Sequence, residues 1–241
     1  MKKIIAVLGL SLAALTGCGE EENVLVVGTN ASFPPFEYIG GESGSEIMGF
    51  DIDIVKKVAE DSGKTLKVED MAFDSLIVAL NAGRIDMIAA GMTITPERLA
   101  NVDFSDPYYE ATQVVVTRQG DTSIQSIDDL KGKKISVQLG TTGDIMAKEF
   151  SDQVVAFNTG FEAMMELQNG RVDLMLFDKA PAANLLKKNQ ELVLQELPFN
   201  PEYYGLAMAK GNAELLKQVN TTLASMKANG DYDALLTKHI K

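Results

Sequence analysis

One histidine, one cysteine and no tryptophan occur in 241 residues, and each scarcity closes a class of function. The histidine, His239, sits at the C-terminal end, so histidine-based triads and histidine–metal sites lack material. The lone cysteine, Cys18, has no partner for a disulfide. Basic residues are in deficit too: 22 Lys and Arg stand against 34 Asp and Glu, a formal charge of −12. Phosphate backbones require basic patches, so nucleic acid is not an expected partner. No Gly-x-Ser-x-Gly, Walker loop or Gly-x-Gly-x-x-Gly follows a predicted strand. The carboxylates fall mostly on polar helix faces, and no glycosidase-like pair stands out. No catalytic residue, cofactor or metal ligand is therefore assigned.

What is present begins with a leader. "MKK" and the apolar "IIAVLGLSLAAL" form a charged and then a hydrophobic region, too short for a stable membrane span. "LTGC" (residues 15–18) ends it with small residues before the cysteine. This is the pattern of a bacterial lipoprotein signal, with residues 1–17 removed and lipid carried on Cys18. Cleavage takes the net charge to −14, because Lys2 and Lys3 leave. Residues 18–23 then serve as a short solvated tether. The expected protein is extracytoplasmic and lipid-anchored to the membrane.

The full chain has 46% apolar content, and after the leader it alternates short apolar runs with helical patterns, an α/β signature. "VLVVGT" (24–29) reads as a strand. "GFDIDIVKKVAEDSGK" (49–64) reads as a helix with Ile54, Val55 and Val58 on one face, Asp51 as its cap and Gly63 as its stop. "TLKVEDM", "FDSLIVALNAG" and "IDMIAA" follow as strand, helix and strand. The plan then repeats: "LNAGRIDMIAA" (80–90) matches "LQNGRVDLMLF" (167–177) at a constant offset of 87. Chance helix–Gly–strand similarity gives the same pattern, yet either way two similar α/β units result. "QVVVTR" reads as a strand linking the units, and "SIDDLKG" as a capped helical turn. "PFNPEYYGLAMAKGN" (198–212) reads as a strand before a helical tail with Leu215, Leu216, Val219, Leu223 and Met226. A tail packed on the first unit makes the chain cross twice, and two extended crossings make a hinge.

Open α/β sheets bind ligands beyond the carboxyl ends of their strands. The polar groups there are Thr29 and Asn30, the segment Gly91 to Arg98, Thr141 and Thr142, and Asp178. A ligand between the units meets an Arg and an Asp, which suits a zwitterion. A guanidinium fork takes a carboxylate through two parallel hydrogen bonds. "TPER" adds a helix start, Thr95 as cap and Pro96 first, next to Arg98.

"VGTNASFPPFEY", "GFDIDI", "AFDSLIVALNAGRIDMIAAGMTITPER", "VDFSDPYYEA" and "VQLGTTG" resemble, in order, the motifs of the polar amino-acid-binding proteins of bacterial ABC importers. The resemblance spans the whole chain after the leader, and "GMTITPER…FSDPYY" is its most specific part. It implies two Rossmann-like α/β lobes joined by a two-strand hinge, the type II periplasmic-binding-protein flytrap. Lobe 1 is then 24–112 with 206–241, and lobe 2 is 113–205. It further implies that Arg98 clamps the ligand α-carboxylate, helped by the N–H groups of Thr93 and Thr142. Asp178, the Gly91 carbonyl and the Thr93 hydroxyl hold the α-ammonium. Phe33 and Phe73 flank the ligand side chain, with Asn30 and Gln138 near its tip.

Plainer roles compete at each position. Arg98 could be a solvated helix arginine, and Asp178 a cap for "KAPAANLLKK". Thr93 and Thr142 could be turn or cap residues, and Phe33 and Phe73 could be core. Tyr108 and Tyr109 are read as structural. Position 30 departs from family members that bind basic amino acids and carry Asp there; here Glu37 is the possible substitute for that charge. Two facing amides suit a neutral polar tip, and two phenylalanines suit a guanidinium. The expected function is capture of a free polar L-amino acid, glutamine-like or arginine/lysine-like, by a monomer that delivers it to an ABC permease. A cyclohexadienyl dehydratase-like enzyme and a ligand-sensing protein are the alternatives.

Overall fold

The computed structural model describes residues 23–241, so Cys18 and the leader lie outside the described residues. Two five-stranded sheets dominate, and they share one plan. In the first, Val24–Thr29 lies between Thr65–Asp70 and Met87–Ile88, all parallel. Ala207–Ala209 then runs antiparallel between Met87–Ile88 and the edge strand Val102–Phe104. In the second, Ile135–Gln138 lies between Val154–Phe157 and Leu174–Asp178, again all parallel. Gln113–Arg118 runs antiparallel between Leu174–Asp178 and Leu192–Gln195. The offset of 87 carries Met87 onto Leu174, the first residue of the equivalent strand.

The antiparallel strand is the device that joins the lobes. Tyr109–Ala111 and Glu202–Tyr204 pair with each other in a separate two-stranded sheet, the hinge. Beyond the hinge, each chain segment enters the fourth position of the sheet it reaches. "QVVVTR" is therefore not the crossing strand expected from its apolar run. It is a buried interior strand of the second sheet, and the crossing is the three residues before Thr112. "PFNPEYYGLAMAKGN" likewise divides into a hinge strand and a sheet strand.

Helix Phe50–Asp61 forms where the apolar spacing places it, with Ile54, Val55 and Val58 buried. Each such side chain contributes about 1.5–3 kcal/mol on burial. Its cap is Gly49, not Asp51. Gly49 holds φ 139°, ψ −177°, and a Cβ there would lie 2.1 Å from the Phe36 carbonyl oxygen. With a backbone only glycine adopts opening the helix two residues earlier, Asp51 falls inside it and turns into the core. Gly49→Ala is expected to cost about 2–4 kcal/mol, read from the urea midpoint at unchanged slope. A loss below about 1 kcal/mol would mean that the Phe36 segment gives way.

The tail packs on the first lobe. Thr222 in helix Ala213–Asn229 donates to Asp61 at 2.8 Å. In helix Asp231–His239, the Lys238 Nζ and His239 Nε2 lie 2.6 and 2.8 Å from Asp53 Oδ2. The one histidine is thus a tie between the C-terminal helix and the first helix. Among the described residues, no helix is long and apolar enough to cross a membrane.

Candidate functional site

The two sheets point the carboxyl ends of their parallel strands at one another across a narrow cavity. All nine residues expected at a ligand line it: Asn30, Phe33, Phe73, Gly91, Thr93 and Arg98 from one side, Gln138, Thr142 and Asp178 from the other. Ala90 and Thr141 complete the wall. The lobes are shut across it. Gln138 Nε2 donates to Asn30 Oδ1 at 2.9 Å, and an Arg98 amino group donates to the Gly140 carbonyl at 3.1 Å.

Arg98 owes its position to the short helix Pro96–Leu99. Thr95 accepts from the Arg98 N–H at 3.2 Å, capping a helix with proline at its first position. The guanidinium then folds inward, where its other amino group donates to the Thr93 carbonyl at 2.7 Å. Its carbon lies 5.3 Å from the centre of the Phe73 ring, within cation–π range. Two of five N–H donors are thereby used, leaving three for the cavity. Arg98 is 8% exposed, which rules out the solvated-helix reading. Burial pulls its pKa down, and the nearby Glu202 and Asp178 oppose that.

Gly91 turns the chain beside the cavity at φ 51°, where a Cβ would press to 2.7 Å from the Phe33 ring. Its N–H donates to Asp51 at 2.9 Å, and the Tyr108 hydroxyl donates to the same oxygen at 2.6 Å. Asp51 is thus the support under Gly91. Burial raises its pKa to about 6, and burial followed by the Asp51 charge lifts Glu37 well above its usual range. Glu37 lies fully buried outside the cavity wall, and neither of its carboxylate oxygens has a hydrogen-bond partner among the described residues. It therefore cannot replace a charge at position 30. Thr29 also turns inward, donating to the Ala89 carbonyl at 2.6 Å.

On the opposite wall, Asp178 ends strand Leu174–Asp178 and occupies the cap position of helix Lys179–Leu186 without capping it. Its carboxylate instead accepts from the Tyr204 hydroxyl at 2.6 Å. Burial first, and then Glu202, raise its pKa to about 7. The cap of helix Thr142–Phe150 is Thr141, which accepts from the Asp144 N–H at 3.2 Å. Thr142 is the first helical residue, with its backbone N–H at the positive end of the helix. At the other end of the cavity, Asn30 donates to the Met71 carbonyl and Gln138 to that of Asn158. Gln138 Oε1 is buried with no protein donor.

Sequence reading missed Glu202 and Gln113. Glu202 Oε2 accepts from Thr93 Oγ1, Thr142 Oγ1 and Gln113 Nε2 at 3.2, 2.9 and 3.1 Å. One signal was available: strand alternation puts Glu202 on the face of Tyr204, which is buried, while Tyr203 is exposed. Tyr108 is buried against Asp51, whereas Tyr109 and Tyr204 line a separate pocket at the hinge. Among the described residues, no group of three or more His, Cys, Asp or Glu is placed to hold a metal.

A guanidinium on one wall, a carboxylate on the other and amides at the far end make a receptor for a small dipolar molecule. Residues 25–241 match the family described as bacterial extracellular solute-binding proteins, family 3. The chain is 36% identical to the putative ABC transporter arginine-binding protein 2 of Escherichia coli (strain K12), over 99% of this chain and 98% of that protein. It is 44% identical to an ancestral arginine-binding protein bound to arginine, with a TM-score of 0.85, over 91% of this chain and 99% of that one. The structure of an ancestral arginine-binding protein bound to glutamine is likewise 44% identical, with a TM-score of 0.85, over 90% and 97% of the two chains. These relatives are binding proteins, not enzymes.

Proposed function

The chain belongs to the bacterial extracellular solute-binding proteins, family 3, and from that premise we propose that it captures a polar L-amino acid whose side chain ends in N–H donors. The opposition of Arg98 and Asp178 across one cavity carries this reading. Arg98 takes the α-carboxylate with the N–H groups of Thr93 and Thr142. Asp178, the Gly91 carbonyl and the Thr93 hydroxyl take the α-ammonium. Phe33 and Phe73 flank the side chain. At its tip, Gln138 Oε1 is an acceptor in want of a donor, which an amide or a guanidinium supplies. A carboxylate side chain would leave that oxygen unpaired, at a cost of about 1–3 kcal/mol. Glutamine and arginine, the ligands named for the relatives, both meet the condition.

The lobes we assign are 24–112 with 206–241 and 113–205, turning about the hinge pair. Ligand contacts both lobes, so the closed form is favoured in its presence. The protein acts as a monomer, lipid-anchored through Cys18 at the extracytoplasmic face, and hands the amino acid to the permease of an ABC importer.

A thermal-shift screen of the twenty amino acids plus ornithine, citrulline and cystine tests this. A ligand at about 100 times its Kd adds about 2.7 kcal/mol, or about 5–10 °C for a chain of this size. The expected hits are amide- or guanidine-bearing amino acids. Glutamate shifting the protein as much as glutamine would overturn the donor-tipped reading. No shift with any amino acid would overturn the zwitterion site.

A further inference from the structure

Glu202 does not line the cavity, yet its carboxylate lies directly behind two residues that do. One oxygen, Oε2, accepts from both threonine hydroxyls and from the Gln113 amide. A threonine hydroxyl has a single proton. Once that proton points at Glu202, the hydroxyl offers only lone pairs to anything else. Thr93 is then fixed as an acceptor toward the cavity. That polarity suits an ammonium and is wrong for a carboxylate.

The three donors also come from different parts of the chain. Thr93 follows the last parallel strand of the first lobe and bridges to Tyr204. Thr142 begins a helix of the second lobe, and Gln113 begins the strand that enters it, in register with Asp178. Glu202 itself sits on the hinge, opposite Ala111. One oxygen of a hinge residue thus joins donors from both lobes.

We propose that Glu202 is a positioning residue for ligand recognition: from the hinge, it sets the Thr93 hydroxyl to accept from the ligand α-ammonium as the lobes close. This rests on the zwitterion reading of the cavity. It goes further in assigning discrimination for the amino group to a residue that never touches the ligand. Removing Glu202 frees the Thr93 hydroxyl to rotate, so part of the preference for a ligand bearing an ammonium is lost. Loss of the tie between lobes, by contrast, weakens every ligand alike. The two effects separate when probes differ only at the α-carbon.

The test measures dissociation constants by titration calorimetry, with competition for weak binders, on the full chain. L-arginine is compared with δ-guanidinovalerate, and L-glutamine with glutaramate, which keep the side chain and carboxylate but lack the amino group. Glu202→Ala is expected to reduce the preference for the amino acid over its analogue by about 10-fold or more. Thr93→Val should reduce it similarly, and the double variant no further, because the two act as one unit. Glu202→Gln keeps an acceptor oxygen and should recover most of the preference. Equal weakening of both probes in Glu202→Ala, or independent losses multiplying in the double variant, would overturn the proposal. Wild-type protein that bound neither amino acid would instead sink the zwitterion reading beneath it.

Discussion

Replacing Arg98 by alanine is expected to lower amino-acid affinity by about 100- to 10,000-fold while the protein stays folded. The range follows from two charge-assisted hydrogen bonds to a carboxylate, each worth about 1.5–3 kcal/mol. Some of the loss arises indirectly. Arg98 also bonds the Thr93 carbonyl on its own side of the cleft and the Gly140 carbonyl across it. The variant therefore loses a tie between the lobes as well as the fork. Both carbonyls then face a cavity that water can enter, so neither is stranded in a dry core. The side chain packs against Phe73, at the cavity edge of that residue's core cluster, which is why folding should survive. Arg98→Lys separates charge from geometry. It keeps the charge but not the planar fork, and should recover only part of the affinity. Calorimetric titration with the best amino acid from the screen, beside apo thermal unfolding, reads both quantities. An alanine variant stabilised by that amino acid as strongly as wild type would remove Arg98 from the carboxylate role.

Much of this site was legible because its parts are local. "GMTITPER" contains its own turn glycine, helix cap, first-turn proline and arginine, so chain geometry alone delivers Arg98 next to Thr93. Strand ends announced Asn30, Thr142 and Asp178, since a parallel strand buried on both faces must end in something polar at the sheet edge, while Gln138 came only from the family resemblance. What could not be read depends on partners distant in sequence. Asp51 has the position and chemistry of a helix cap, and only the Gly49 backbone and the reach of Gly91 and Tyr108 turn it inward. "QVVVTR" has the apolar character of any inner strand, and nothing in it names the sheet it joins. Glu202 lies 109 residues after Thr93 and 60 after Thr142, so no local pattern joins them. Glu37 shows the limit of reasoning by charge: a carboxylate near the right motif was the natural substitute for a missing aspartate. Burial outside the cavity wall makes it unfit, and the same burial, followed by the Asp51 charge, raises its pKa well above the usual range.

Asp178→Asn should cost about 100-fold or more in amino-acid affinity and also flatten its pH dependence. In the empty site burial, and then the neighbouring Glu202 charge, hold the Asp178 pKa at about 7, above its ordinary 3.8. A ligand ammonium requires the ionised form, so binding below that pH must expel a proton. Affinity should therefore rise as pH climbs from about 5 to 7, by at most tenfold per unit, and level off above. The stability of the empty protein should move the other way. The folded state holds the Asp178 proton more tightly than the unfolded chain does, so this group's contribution declines as pH rises through the window from 3.8 to about 7. Asp51, raised to about 6, adds to the decline without touching the ligand. The Arg98 guanidinium keeps its charge throughout, and Glu37, its pKa pushed well above the usual range by burial and then by Asp51, lies outside the cavity wall. The asparagine is isosteric and still accepts the Tyr204 hydroxyl through its oxygen, which keeps the wall in place. The ligand-induced rise in Tm, measured from pH 5 to 8, should grow steadily to neutrality in wild type and stay flat in the variant. A wild-type shift that did not change with pH, or one that fell as pH rose, would mean that the ammonium is held by some group other than Asp178.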